Sequence, residues 1–92
     1  MEEINEEIKV KMLSAVTEAL KLKKQDKFAD SEQILKTITR FAEKEKSKKT
    51  QLAMIAAASK TLSISERMHF ISEKEVIRKV MPELSKILEK VD

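Results

Sequence analysis

The 92-residue sequence has no glycine, no cysteine, no tryptophan and no tyrosine, with one histidine and one proline. Each absence removes a class of chemistry. P-loops, dinucleotide-binding turns and nucleophile elbows need glycine, where φ is positive or where backbone must come close to a ligand. Without cysteine there is no thiolate nucleophile, no zinc knuckle and no disulfide framework. One histidine makes no histidine cluster for a metal, so neither a metal nor a cofactor is expected. Three phenylalanines are the only aromatics, too few for the stacking platform of single-strand nucleic-acid binders. No apolar run approaches the roughly 18 residues of a membrane span. The opening Met1-Glu2-Glu3-Ile4 is acidic where a secretory signal is basic and then apolar. A cytoplasmic protein without a membrane span is expected.

What remains is the material of long helices. Hydrophobic residues make up 41% and charged residues 38%; the first share builds a modest core and argues against disorder. Sixteen acids face 19 basic residues, for a net charge of +3. A basic balance raises the prospect of nucleic acid or another anionic surface. Here the excess is small and the signs are interleaved, which describes a mixed solvated face first.

The apolar positions recur at helical spacing and never alternate as a strand does. Ile4, Ile8, Met12, Val16, Ala19 and Leu20, widened by Leu13 and Leu22, predict a helix from Glu2 to about Lys24. Its acidic start (Glu2, Glu3, Glu6, Glu7) and basic end (Lys21, Lys23, Lys24) both complement the helix dipole. Gln25-Asp26-Lys27 reads as a tight turn with Asp26 capping the second helix, whose stripe is Phe28, Leu35, Ile38, Phe41 and Ala42. A short turn between long helices makes an antiparallel hairpin.

Ser47-Lys48-Lys49-Thr50 is the next break, with Ser47 or Thr50 as cap. The third helix reads Leu52-Ala53-Met54-Ile55-Ala56-Ala57-Ala58, apolar on every side. Such a helix is either central or covered by another subunit. Ser63-Ile64-Ser65-Glu66 and Ser72-Glu73-Lys74-Glu75 both match the capping box, and Ile71 with Val76 completes a hydrophobic staple at the second. They predict a short helix from about Ile64 to Ile71, with Met68 and Ile71 inward, and a longer one from Glu73. The last helix presents Val76, Ile77, Val80, Met81, Leu84, Ile87, Leu88 and Val91 on one face. Pro82 should kink or restart it, because its ring crowds the carbonyl of Arg78 and removes a hydrogen bond. The expected fold is a single all-α domain over residues 1–92, an antiparallel bundle of four to five helices.

Few side chains suggest chemistry. His69 alone has an unperturbed pKa near neutrality, and only Ser65, Ser72, Glu66 and Glu73 lie near it in sequence. Ser31 and Thr39 lie on or beside the stripe of the second helix, where a hydroxyl bonds back to the preceding turn. Lys44, Lys46, Lys48 and Lys49 form a patch suited to phosphate contacts. The acids at the start of the first helix should meet that patch and partly neutralise it.

Glu18-Ala19-Leu20-Lys21, Asp26-Lys27-Phe28, Lys49-Thr50-Gln51 with Leu52-Ala53, and then His69 follow one another in an order that resembles lactose/cellobiose-type enzyme IIA proteins of the sugar phosphotransferase system. The resemblance implies a trimeric three-helix bundle carrying phosphate on His69. After His69 the chain reads Phe70-Ile71-Ser72-Glu73 in place of that family's Gln-Asp-His pattern. The small helical immunity proteins share the size, charge and class of this chain.

The first expectation for function is a non-enzymatic protein acting by protein–protein interaction, as a regulator, adaptor or immunity-type factor. Its expected contact residues are Ala53, Met54, Ala56 and Ala57 with Lys44, Lys46, Lys48 and Lys49, and a homo-oligomer is favoured. The alternatives are a phosphocarrier using His69 and a nucleic-acid binder using the Lys44–Lys49 patch.

Overall fold

Among the described residues of the computed structural model there are four helices: α1 (Glu2–Gln25), α2 (Ser31–Ala42), α3 (Lys48–Arg67) and α4 (Glu73–Val91). The structure describes residues 2–26, 28–68 and 72–91, and their side chains except those of 2–5 and 91. His69 and the expected staple residue Ile71 lie outside the described residues.

The Cα radius of gyration is 12.5 Å, close to the roughly 12 Å expected for a single compact domain of this length. No described helix is long and apolar enough to cross a membrane.

The chain runs up, down, up and down. Lys11 of α1 pairs with Glu45 between α2 and α3, while Ser31 at the start of α2 bonds Glu66 near the end of α3. Thus α1 and α3 point the same way, with α2 antiparallel to both. Lys60 of α3 meets Glu83 of α4 at 3.7 Å, as an antiparallel α3–α4 hairpin requires.

Small residues organise the packing. Ala15 and Ala19 on α1, with Ala53, Ala57 and Ala58 on α3, are fully buried, and alanine lets helix axes approach closely. α1 and α3 therefore form a central wall. On one side α4 adds Val76, Val80, Leu84 and Leu88 to Ile8, Met12, Val16, Leu20, Ala53, Ala57 and Ile64. On the other, α2 adds Ile34, Ile38 and Ala42 to Ala15, Ala19, Met54, Ala58 and Leu62. Among the described residues α2 and α4 do not touch. Each large aliphatic side chain buried in these two cores contributes roughly 1.5–3 kcal/mol.

Several local expectations are corrected. Asp30, not Asp26, caps α2: its carboxylate accepts the Gln33 N–H at 2.9 Å. Asp26 instead accepts the Phe28 N–H at 3.0 Å inside a five-residue connection. Phe28 precedes the helix and is 96% exposed, so it is no part of the α2 stripe; Ile34 holds the buried position. Ser31 donates to Glu66 rather than to its own helix, whereas Thr39 does bond back, to the Leu35 carbonyl at 2.7 Å.

No separate helix starts at Ile64. α3 continues to Arg67, and the Met68 N–H still reaches the Ile64 carbonyl at 3.0 Å. Ile64 is buried against α4, which gives the helix a reason to continue past the Ser63 signal. Met68 and Met81 are 41% and 47% exposed, not inward. α4 stays helical through Pro82 without dividing in two. Ser47 and Ser72 cap α3 and α4 as expected, accepting the Thr50 and Glu75 N–H groups at 3.3 Å and 3.2 Å.

Candidate functional site

The apolar third helix is central in its own chain. Ala53, Met54 and Ala57 are at most 1% exposed, enclosed by α1, α2 and α4. Of the four apolar residues expected to meet a partner, only Ala56 retains surface. It lines a groove of about 510 Å³ between α3 and α4 with Ser59, Ser63 and Ile87. Partner helices on both flanks of α3 take up most of its apolar surface, while Leu52 remains 47% exposed.

The two ends of the bundle differ in character. At the end where α1 begins and α2 hands over to α3, Lys44, Lys46 and Lys49 line a groove of about 530 Å³ with Lys11, Glu7, Glu45 and Thr50. Lys48 is exposed and lies outside that lining. Of the acids expected to meet the patch, Glu7 of α1 shares the groove, and those of Glu2 and Glu3 lie outside the described side chains; the ion pair formed here joins Lys11 to Glu45 at 2.8 Å. The Glu45 carbonyl also accepts Gln51 Nε2 at 2.7 Å. The connection is thereby fixed to both α1 and α3. Its lysines remain at the surface, where an ion pair contributes about 0–1 kcal/mol.

At the opposite end the two connections are joined by the hydrogen bond from Ser31 Oγ to Glu66 Oε1. Here Phe28 stands 96% exposed and Met68 41% exposed. Two interactions fix the backbone under Phe28: its N–H donates to Asp26 Oδ1 at 3.0 Å, and the Ala29 N–H donates to the Asp26 carbonyl at 3.2 Å. The exposed Phe28 ring thus stands beside a backbone with two hydrogen bonds to Asp26. Helical spacing hid this, because Phe28 lies seven residues before Leu35. The signal that locates it is Asp30-Ser31-Glu32-Gln33, a capping pattern that starts the helix only after Phe28.

A third apolar surface lies between α1 and α2, where Val10, Leu13, Thr17 and Phe41 border a groove of about 420 Å³. Val10 is 65% exposed and had no place in the expected stripe. Among the described residues no three His, Cys, Asp or Glu side chains are grouped so as to hold a metal ion.

Compared with known proteins, the chain matches no protein-family model, no curated protein and no solved structure. The resemblance to the enzyme IIA proteins therefore stands on the quoted residues alone.

Proposed function

We propose that this chain is a small non-enzymatic protein of the cytoplasm that acts by binding another protein, as a regulator, adaptor or immunity-type factor. The observation that supports this is the 96% exposure of Phe28 on a turn tied by Asp26. Burying such a side chain contributes roughly 1.5–3 kcal/mol, and aromatic anchors seated in a partner's pocket carry much of the energy of interfaces. Met68 at the same end adds a flexible apolar contact.

The test places a photo-reactive phenylalanine analogue at position 28 and crosslinks in the source cell, alongside complementation by Phe28→Ala. The expected result is a discrete crosslinked protein, with loss of function in Phe28→Ala and an unchanged circular dichroism spectrum. Full function in Phe28→Ala removes the proposal. A second copy of the chain is one partner it admits, and sedimentation of wild type and Phe28→Ala separates self-association from capture of a different protein. His69→Gln distinguishes the phosphocarrier alternative. A carrier holds the phosphoryl group covalently on the imidazole and fails without it, whereas a binding protein retains function.

A further inference from the structure

The chain has five threonines, and four of them turn their hydroxyl back along the helix. Thr17, Thr37, Thr39 and Thr61 donate to the carbonyls of Leu13, Gln33, Leu35 and Ala57 at 2.9, 3.3, 2.7 and 2.8 Å. Thr50 differs. It stands at the third position of α3, so the residue four places back, Lys46, precedes the Ser47 cap and belongs to the connection rather than the helix. Thr50 is only 7% exposed, and its N–H is taken by Ser47 Oγ at 3.3 Å. Among the described residues its hydroxyl has no hydrogen-bond partner. No buried side-chain polar atom among the described residues is sealed from solvent without a partner, so this hydroxyl opens onto the groove that Thr50 lines.

The surroundings select the charge of what would fill that groove. α2 and α4 each carry acids in their first turn, while α3 carries none and begins with the exposed Lys48. Cations at a helix N-terminus oppose the dipole, and an anion bound there offsets both. Among the described side chains, Lys11, Lys44 and Lys46 border the groove with Glu7 and Glu45. Lys11 already compensates Glu45 at 2.8 Å.

We propose that this groove binds the phosphate group of a small phosphorylated molecule, held by the Thr50 hydroxyl, the N-terminus of α3 and the ammonium groups of Lys44 and Lys46. The hydroxyl donates to one phosphate oxygen and gives the site its geometry. The lysines act as point charges and favour the dianion. The site lies at the opposite end of the bundle from Phe28, so it stands or falls separately from partner binding there.

The experiment titrates the ¹⁵N-labelled chain with inorganic phosphate and with pyrophosphate at constant ionic strength, with sodium chloride as control. Saturable shifts confined to the amides of residues 47–50 are expected, with pyrophosphate the tighter of the two. Thr50→Val keeps the side-chain shape without the hydroxyl and should weaken pyrophosphate binding about tenfold, since hydrogen bonds to charged groups are among the stronger ones. Thr50→Ser should retain binding. The double change Lys44→Gln with Lys46→Gln, at two exposed positions, should also weaken it about tenfold and decides the matter if Thr50→Val fails to fold. Shifts that do not saturate, or that chloride reproduces, overturn the proposal. So does a single-stranded oligonucleotide binding equally well to wild type and Thr50→Val while pyrophosphate does not bind, because the lysines then serve a polymer backbone.

Discussion

Lys11 Nζ lies 2.8 Å from the Glu45 carboxylate, joining α1 to the connection between α2 and α3. The pair is partly solvated, with the lysine side chain 46% and the glutamate 24% exposed. Solvent screening and side-chain entropy limit such a bridge to about 0–1 kcal/mol. Lys11→Ala is therefore expected to lower stability by no more than about 1 kcal/mol in urea denaturation, less so at high salt. A loss of several kcal/mol would mean that the pair is desolvated.

Asp30 and Asp26 invite a direct comparison, since both are aspartates in one connection with backbone N–H groups on their carboxylates. Only Asp30 satisfies a helix donor. Asp30→Ala should cost about 1 kcal/mol, the usual worth of an N-cap. Asp26→Ala, which frees a turn amide already near water, should cost less. Equal losses in thermal melts would place the cap wrongly.

Much of the fold is legible in the sequence, and the failures share a cause. α1 and the Ser47 and Ser72 caps follow from spacing and cap chemistry alone. Ser63-Ile64-Ser65-Glu66 carries the same cap chemistry yet sits inside α3, because burying Ile64 against α4 outweighs a local signal worth about 1 kcal/mol. With no glycine to mark helix ends, nothing in the sequence contradicts the false start. The candidate sites were harder to read. Phe28 fits a heptad and is exposed, while Met54 suits an interface and is buried. Periodicity reports which residues share a face; it does not say which face is covered. The lysine patch was legible as composition, but the Thr50 hydroxyl beneath it depends on where α3 begins.

Pro82 offers a gain rather than a loss. It lies inside α4 with its side chain exposed, and an interior proline costs a helix about 3 kcal/mol relative to alanine. Part of that cost is already relieved in a helix that accommodates the ring. Pro82→Ala is expected to raise stability by about 1–3 kcal/mol, seen as a higher urea midpoint with an unchanged slope. A drop in stability would assign Pro82 a packing or folding role that its exposure does not suggest.

The two cores predict a pattern of additivity. Ile38 on α2 and Val80 on α4 are both fully buried, in different cores. Ile38→Val should cost about 1 kcal/mol, and Val80→Ala about 2 kcal/mol from two buried methyl groups. The double variant should match their sum within about 0.5 kcal/mol, as for sites without shared partners. Val80→Ala combined with Val16→Ala, within one core, should depart from additivity.

Because no Cα of α2 comes within 8 Å of one of α4 among the described residues, release of either helix is expected to leave the other docked. Release of α4 uncovers Met12 and Val16, and release of α2 uncovers Met54 and Leu62, residues at most 1% exposed in the closed molecule. Two separate partly opened forms are therefore expected besides the fully unfolded chain, each with its own apolar strip. Exchange of backbone amides with solvent should be slowest in α1 and α3, which both opened forms retain.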